Sequence, residues 1–402
     1  MNTRLEPDSD MEADSDHPHS IPRRLFVQPG RILIFLLSAL VLWYSRALRF
    51  LLFVSTAGMR RGFLNTTAPD LASFAGAWTA MSPPSHPYAP SGSRCAVTYH
   101  HWYHSFDPVA ANSCMAAIAD LGAGYLRGDI RWRDLLPDGD KLDIHARNWY
   151  RNYLRAAHEW YGLTPMVVLS NPPNAVMKLD EESRIAAWGR YIDVVITEFG
   201  DLCQRYQLMN EINSPVFRFV SSNNVPRAMT EAVSRMRSQL PNCELMTNIL
   251  ADLWGWRQAT QQCIDRFGSQ LDIIGIDFYP ETWAVSLGNP WSAVEAGLAD
   301  LYSANPKLPR IAILETGYST NIPIFRSEEQ QVRFYHHLRS TLDTLDSQRG
   351  GRSLVYIALY EICDENSSIL LDPEAHFGLL KSKSLQRKAA FAQVKQICDA
   401  FR

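Results

Sequence analysis

The sequence contains two similar stretches that decide how it folds: Gln207-Leu208-Met209-Asn210-Glu211-Ile212-Asn213 and Ile311-Ala312-Ile313-Leu314-Glu315-Thr316-Gly317. Each is a short apolar strand pattern that ends abruptly in a glutamate. Burying an unpaired carboxylate costs several kcal/mol, so a chain that ends two separate apolar strands in this way has a use for both side chains. If the strands are parallel, the two carboxylates face one cavity.

The region around these two stretches has a regular organisation. From about residue 93, short β-rich runs alternate with longer amphipathic stretches. Eight β-then-α units over residues 93–402 match the size and rhythm of a (β/α)₈ barrel. The predicted strands are Cys95–Tyr99, Ala123–Gly128, Pro165–Leu169, Arg205–Met209, Glu244–Asn248, Leu271–Asp277, Ile311–Leu314 and Leu354–Leu359. The predicted helices are Val109–Leu121, Ile144–Tyr161, Glu182–Phe199, Pro226–Leu240, Arg257–Arg266, Pro290–Ser303, Glu328–Asp346 and Leu385–Phe401.

A doubly wound open sheet is the alternative to the barrel. That fold favours a glycine-rich phosphate loop after the first strand. Here the first strand is followed by Tyr99-His100-His101-Trp102, which contains no glycine. The sequence therefore favours the barrel.

Three further segments precede the barrel region. Residues 1–24 are polar and acidic, which is typical of a disordered tail. Residues 25–57 are predominantly apolar and long enough to span a bilayer if their arginines reach the headgroups. A long acidic leader favours an uncleaved signal anchor over a cleaved signal peptide. Residues 58–92 are rich in Ser, Pro, Ala and Gly, and we interpret them as a linker.

The composition excludes several classes of protein. The chain has 402 residues, 46% of them hydrophobic, which suffices for a large core. A net charge of −3 with no basic cluster argues against nucleic-acid binding. None of the seven cysteines has CxxC spacing, which argues against a zinc site. The spacing leaves open whether a few disulfides form or none.

The carboxyl ends of barrel strands carry the active site in this architecture. The sequence places carboxylates, amides and aromatic rings there, a mixture that suits sugar hydroxyls and the apolar faces of sugar rings. The candidate substrate-binding residues are His100, Trp102, Arg127, Trp132, Asn210, Tyr279, Trp283 and Tyr360. The candidate catalytic residues are Glu211 and Glu315, because two carboxylates facing one cavity are the equipment for breaking a glycosidic bond.

Residues 93–402 resemble the large clan of retaining glycoside hydrolases called clan A. The resemblance implies that Glu211, after Asn210, is the acid/base residue and that Glu315 is the nucleophile. It implies that Arg127 lies near the nucleophile and that Tyr279 donates a hydrogen bond to it. The segment His376-Phe377-Gly378-Leu379-Leu380 also resembles the β-xylosidase and endoglycanase families. Many clan members end the eighth strand in Trp, whereas this chain has Tyr360-Glu361-Ile362-Cys363.

Each of these assignments has a structural alternative. Glu211 could cap the segment that follows it, and Glu315 could form a surface ion pair. Arg127 could pair with Asp129 instead of the nucleophile. Tyr279 and the three tryptophans could be ordinary packing residues, and Glu361 could pair with an arginine. A metal on His100 and His101 is disfavoured because adjacent residues of a strand point to opposite faces.

The sequence therefore predicts a membrane-anchored retaining glycoside hydrolase that acts outside the cytoplasm on a carbohydrate, without a cofactor or metal. A transglycosylase that remodels an exported glycan would use the same residues and differ only in the acceptor. A carbohydrate-binding pseudoenzyme is the non-catalytic alternative, which the loss of either glutamate would favour; both are present.

We expect the full-length chain to fractionate with membranes and to resist extraction by carbonate or high salt, because an apolar segment is held by burial and not by charge. Protease added to right-side-out vesicles should digest the barrel. The arginines that flank residues 25–57 are nearly balanced and leave the orientation open. Digestion of residues 1–24 with protection of the barrel would contradict an external location.

Overall fold

Eight parallel strands close into a barrel in chain order. The structure, a computed structural model, describes Trp78 and residues 81–253, 255–280, 290–304, 310–321, 326–348, 354–365 and 373–402. Closure is made by pairing of the first strand with the eighth, which excludes the open-sheet alternative. The strands are β1 (Cys95–Thr98), β2 (Tyr125–Arg131), β3 (Thr164–Ser170), β4 (Arg205–Leu208), β5 (Glu244–Leu250), β6 (Ile273–Asp277), β7 (Arg310–Thr316) and β8 (Ile357–Leu359).

Helices follow the strands around the outside of the barrel. Asp107, Asp143 and Asp180 each accept a backbone N–H from the first turn of a helix, which satisfies groups that have no partner inside the helix. The long helices are Pro108–Asp120, Ile144–Glu159, Glu181–Phe199, Val225–Gln239, Trp256–Phe267, Pro290–Ala304, Glu328–Gln348 and Phe391–Ala400. Single turns occur at His101–His104, Trp132–Leu135, Asn174–Met177 and Pro373–His376.

All eight predicted strands and the predicted helices are confirmed, with one clear error at a boundary. The last helix was expected from Leu385 but begins at Phe391. Leu385 has a φ of 51° and so cannot continue a helix. The chain there forms a β-bridge between Leu380 and Arg387 instead.

The barrel interior has its own small apolar core, separate from the larger core between strands and helices. It is formed by side chains from the third, fifth, sixth and seventh strands and from the segment before the eighth: Met166, Met246, Ile273, Ala312, Leu314 and Tyr356. Gly275 lies in this layer because a Cβ there would lie 2.3 Å from the Leu314 side chain. The filled interior forms the floor beneath the carboxyl ends of the strands.

A register shift between β6 and β7 changes which side chains face inward. Ala312 pairs with Gly275, and Ala312 and Leu314 both point into the barrel. Strict alternation would then turn Glu315 outward. The pairing shifts by one residue, so that Glu315 pairs with Asp277, and residues in register lie on the same face. Asp277 already faces inward by alternation from Ile273 and Gly275, and the irregularity brings Glu315 to the same inner side.

The last part of the segment interpreted as a linker packs on the barrel. Trp78 is buried, with its ring centroid 6.0 Å from Trp149 and 6.3 Å from Trp160. The Tyr88 hydroxyl donates to Asp120 at 3.0 Å, and the Tyr88 N–H donates to the Trp160 carbonyl at 3.0 Å. Trp78 and Tyr88, which fall within the segment interpreted as a linker, therefore contact the barrel directly.

The predicted tail, anchor and first part of the linker lie outside the described residues. Within the part of the chain that the structure describes, no helix has the length and apolar character needed to cross a membrane. The seven cysteines all lie in the described part, where each is a buried free thiol. Burial raises the pKa of Cys243 to about 11 and the pKa values of Cys203 and Cys263 to about 12, so these thiols are neutral at physiological pH.

We expect Trp78→Ala to lower the free energy of unfolding by about 3–5 kcal/mol, the usual cost of removing a buried Trp side chain. Urea denaturation of the full-length chain, followed by circular dichroism, measures the change. Val109→Ala is the control, because Val109 is 62% exposed. An effect of Trp78→Ala no larger than that of the control would show that Trp78 contributes nothing to the barrel.

Candidate active site

The ends of β4 and β7 bring Glu211 and Glu315 together in the mouth of the barrel. Both side chains are buried, with 4% and 6% of the residue exposed. An oxygen of each glutamate lies within 4.8 Å of the other and of an oxygen of Asp277. The two glutamates that the sequence singled out thus share one small site, and neither forms a surface ion pair.

Glu315 is held at both carboxylate oxygens. Arg127 donates from Nη2 to Oε1 at 2.6 Å, and the Tyr279 hydroxyl donates to Oε2 at 2.5 Å. A cation and a phenol bound to the two oxygens both favour the ionised carboxylate. They also fix its orientation. Arg127 and Tyr279 thus lie at the positions relative to Glu315 that the resemblance implies.

Arg127 is itself buried and fully bonded. Its Nε and Nη2 donate to Gln207 Oε1 at 3.1 and 2.8 Å, and Nη1 donates to Thr98 Oγ1 at 3.3 Å. Burial opposes the positive charge, but the negative charge of Glu315 and its neighbours outweighs it, so the pKa of Arg127 is raised. Burial and then the charge of Glu315 raise the pKa of Tyr279 well above its ordinary value, which keeps the phenol a donor.

Glu211 is positioned through its backbone. Its φ of 44° lies in the left-handed region. That conformation costs a non-glycine residue on the order of 1–3 kcal/mol and persists only where neighbouring contacts enforce it. The Glu211 N–H donates to Asn248 Oδ1 at 2.6 Å. The Nδ2 group of Asn248 donates to Asn210 Oδ1 at 2.9 Å, as does Gln207 Nε2. The side-chain oxygen of Asn210 accepts both hydrogen bonds, so its amide N–H groups are available to donate to a ligand.

Asp277 belongs to the site and was missed at the level of sequence. It is fully buried at the end of β6, and its Oδ2 accepts a hydrogen bond from Asn248 Nδ2. Burial, followed by the charges of Glu315 and Glu211, raises its pKa well above the ordinary value for Asp. The signal was present in the sequence, because Ile273-Ile274-Gly275-Ile276-Asp277 is a third apolar strand that ends in a carboxylate.

Aromatic side chains form one side of the mouth. His100 lies with its Nδ1 3.0 Å from Asp129 Oδ2, and its ring centroid is 4.3 Å from that of the half-buried Trp102. Tyr360 packs edge-on against Tyr279 at a centroid distance of 5.7 Å, and its peptide bond to Glu361 is cis. Arg127 pairs with Glu315 and not with Asp129, which instead bonds His100 and Ser170.

One predicted contact residue lies in the core instead of the mouth, and another lies outside the described residues. Trp132 is completely buried and stacks on Tyr191 at a centroid distance of 5.2 Å, so the prediction that it contacts a sugar is wrong. Trp132 follows β2 directly, and its ring packs against the helix Glu181–Phe199 instead of lying at the rim. Trp283 lies outside the described residues. His101 is also a core residue, with Nε2 3.1 Å from the Tyr150 hydroxyl.

Two groups of side chains in the described residues have the spacing of metal ligands. One is the set Glu211, Asp277 and Glu315. Arg127 and Tyr279 already bind the two oxygens of Glu315, so a divalent cation would have to displace a buried guanidinium. The other is His104, Cys114 and Cys363, with His104 Nε2 3.7 Å from Cys363 Sγ. Its soft donors would suit zinc, but it contains none of the carboxyl groups described above.

Comparison with known proteins relates the fold to glycoside hydrolases. No family model matches the chain, and no curated protein matches its sequence. The β-glycosidase BGL167 is similar over 78% of this chain and 98% of its own, with 16% identity and a TM-score of 0.58. The exo-β-1,4-mannosidase Op5Man5 from Opitutaceae bacterium strain TAV5 is similar over 80% of this chain and 62% of its own, with 16% identity and a TM-score of 0.59.

A family 1 β-glucosidase from Thermotoga maritima gives the same result, with 78% and 99% of the two chains covered, 12% identity and a TM-score of 0.57. At these identities the likeness establishes the fold. The described domain therefore has the barrel fold of these glycoside hydrolases, in agreement with the resemblance inferred from sequence.

We expect Arg127→Met to destabilise the chain by about 3–5 kcal/mol near neutral pH, because it leaves the buried Glu315 carboxylate without its cation. Adding Glu315→Gln should recover at least half of the loss, since an uncharged amide needs no counterion. Urea denaturation of the two variants and wild type measures both effects. Arg151→Met is the control, because its partner Asp201 is mostly exposed.

The direction in which the stability deficit of Arg127→Met changes with pH follows from the negative charge of Glu315. Without Arg127, the negative charge of Glu315 loses its buried counterion. The stability deficit should therefore be smallest in acid, where carboxyl groups are neutral, and should grow as the pH rises. A deficit that is independent of pH, and is not relieved by Glu315→Gln, would contradict the electrostatic role of Arg127.

Proposed function

We propose that this chain is a retaining glycoside hydrolase that uses Glu315 as nucleophile and Glu211 as acid/base. The observation that carries the proposal is that an oxygen of each buried glutamate lies within 4.8 Å of an oxygen of the other, while Arg127 and Tyr279 bind the two oxygens of Glu315. Retaining enzymes separate the two carboxyl groups by about 5–5.5 Å, whereas inverting enzymes need about 6.5–9.5 Å to admit a water molecule.

The first step would form a covalent intermediate. A carboxylate oxygen of Glu315 bonds to the anomeric carbon as the bond from that carbon to the glycosidic oxygen breaks. The departing oxygen takes the proton of Glu211. Arg127 and Tyr279 support this step by keeping Glu315 ionised and by holding it in one orientation.

The second step would release the sugar with its original configuration. Glu211, now a carboxylate, takes a proton from water, whose oxygen bonds to the anomeric carbon. The ester bond to Glu315 breaks, and its carboxylate is restored. The amide hydrogens of Asn210 are available for a substrate hydroxyl, and hydrogen bonds to the 2-hydroxyl strengthen in the transition state of such reactions.

The substrate class is proposed from the wall of the site and from the fold relatives. His100, Trp102 and Tyr360 offer ring surface beside the carboxyl groups, which suits a sugar ring. The solved structures with this fold include a β-glucosidase and an exo-β-1,4-mannosidase. We therefore propose a β-linked oligo- or polysaccharide as substrate.

The location is proposed from the sequence of residues 25–57. An apolar segment ahead of the barrel would anchor the enzyme in a membrane, with the catalytic domain outside the cytoplasm. An anchored glycosidase there would act on a glycan of the cell envelope or one in export.

We expect Glu315→Ala to reduce turnover of all glycosides by 10⁴-fold or more, on the order of the loss seen for other nucleophiles. Glu211→Ala should cost roughly 10²–10⁴-fold on natural glycans but much less on aryl glycosides, whose good leaving groups need little protonation. Azide should restore turnover of the Glu211 variant by forming a β-glycosyl azide. Steady-state kinetics on aryl glycosides and a polysaccharide panel measures these differences.

Glu182→Ala is the matched control, because Glu182 pairs with Arg227 on the helix surface and should leave turnover unchanged. The configuration of the first-formed product, followed by NMR, tests the retaining outcome. Equal losses for both variants on both kinds of substrate, without azide rescue, would contradict the assignment. An inverted product would contradict the mechanism.

A further inference from the structure

Three carboxyl groups share one cation in the barrel mouth. Glu211, Asp277 and Glu315 lie with oxygens within 4.8 Å of one another, and all three are buried. The guanidinium of Arg127 contacts Glu315, and Tyr279 faces the cluster as a donor to Glu315. Among the described residues, Asp129 also acts electrostatically on Arg127. Three ionised carboxylates would therefore set three negative charges against one positive charge. Buried unpaired charge is expensive, so protons must remain in the cluster.

The partners of each group show where the protons belong. The proposed reaction, on which this step rests, needs Glu315 ionised and Glu211 protonated. Glu315 has the cation and the phenol, whereas Asp277 Oδ2 receives only a neutral amide N–H from Asn248. Among the described residues, Asp277 Oδ1 is buried and has no hydrogen-bond partner. The charge of Arg127 and the bond from Asn248 favour an ionised Asp277, but burial and the two neighbouring glutamates outweigh them.

We propose that Asp277 holds a proton in the working enzyme and that its neutral carboxyl acts as a positioning residue through Asn248. The Asn248 amide links three strand ends. Its Nδ2 donates to Asp277 Oδ2 and to Asn210 Oδ1, and its Oδ1 accepts the N–H of Glu211 at 2.6 Å. Asp277 thereby orients the side chain that holds Glu211 in its left-handed conformation, and Glu315 stays the single anion beside the single cation.

The direction of the pKa of Asp277 agrees with this arrangement, because burial and the neighbouring carboxylates raise it well above the ordinary value. A raised folded-state pKa has a definite consequence for stability. Above about pH 4 the chain must bind a proton when it folds, so Asp277 costs stability that increases with pH up to its folded-state pKa. Below about pH 4 this cost disappears.

Asp277→Asn tests the protonation without any need for activity. The amide imitates the neutral carboxyl, so the urea midpoint of the full-length variant in detergent should exceed that of wild type near pH 7. The difference should shrink towards zero as the pH falls to about 4. Asp265→Asn, at an exposed position on the helix Trp256–Phe267, controls for the loss of one Asp. A variant that is less stable than wild type near neutral pH and recovers towards pH 4 would overturn the proposal, since an ionised Asp277 would then be stabilising.

Kinetics tests the positioning role. Compared with the apolar variant Asp277→Leu, the conservative variant Asp277→Asn should recover most of kcat, and the alkaline limb of its pH profile should stay at the wild-type position. Asp277→Leu cannot accept the bond from Asn248 and should lower kcat by on the order of 10–100-fold with little change in KM. Asn248→Ala should lower kcat to a similar extent. The double variant that combines Asp277→Leu with Asn248→Ala should lose no more activity than the worse of the two single variants, because both residues act through one chain of contacts.

Two results would overturn the positioning role. One is an alkaline limb that moves to lower pH in Asp277→Asn, which would mean that an ionised Asp277 had been raising the pKa of Glu211. The other is a double variant whose loss equals the product of the two single losses. If Asp277→Leu does not fold, the pH profile of Asp277→Asn and the kcat of Asn248→Ala still test the positioning role. If wild type hydrolyses no glycoside, the proposed function fails, whereas the urea series still decides the protonation of Asp277.

Discussion

The mouth of this barrel depends on one buried guanidinium. Arg127 brings a positive charge to a place where water does not solvate it, and only the carboxylate of Glu315 at 2.6 Å and the oxygens of Gln207 and Thr98 make that position tolerable. A buried ion pair survives when its remaining donors are satisfied, and here every nitrogen of the guanidinium has a partner. The ion pair in turn allows a second and a third carboxyl group to lie beside it.

The backbone departs from regular geometry where those carboxyl groups are presented. The register shift between β6 and β7 turns Glu315 inward into line with Asp277. At the end of β4, Met209 and Glu211 both have positive φ, and Asn248 supports the second of these by accepting its N–H. Irregular backbone at the ends of otherwise regular strands is a common way to aim side chains at an active site.

Other polar contacts in the mouth bind the strand ends to one another. His100 and Ser170 bond to Asp129, and Asn248 joins the ends of β4, β5 and β6. Outside the mouth, Trp78 packs on Trp149 and Trp160, so the folded unit begins earlier than the composition of residues 58–92 indicates. A rigid frame of this kind suits a reaction in which two carboxyl groups must keep a fixed separation.

The sequence by itself indicated the barrel, because eight apolar strands alternate with amphipathic helices and no glycine-rich loop follows the first strand. The pairing of β1 with β8 was needed to exclude an open sheet. Errors in the elements were confined to boundaries such as Leu385. It also singled out Glu211 and Glu315, because carboxyl groups at the ends of apolar strands stand out in a linear pattern, and the resemblance to clan A implied the positions of Arg127 and Tyr279. Only the tertiary structure decided that Glu315 faces inward, since alternation alone turns it outward and the register shift arises from pairing between strands. Likewise, only the tertiary structure showed that Trp132 packs in the core and not at the rim. Only the convergence of β4, β5 and β6 showed that Asp277 lies beside the two glutamates. Distances between residues far apart in the chain follow from closure of the barrel, which no local pattern encodes.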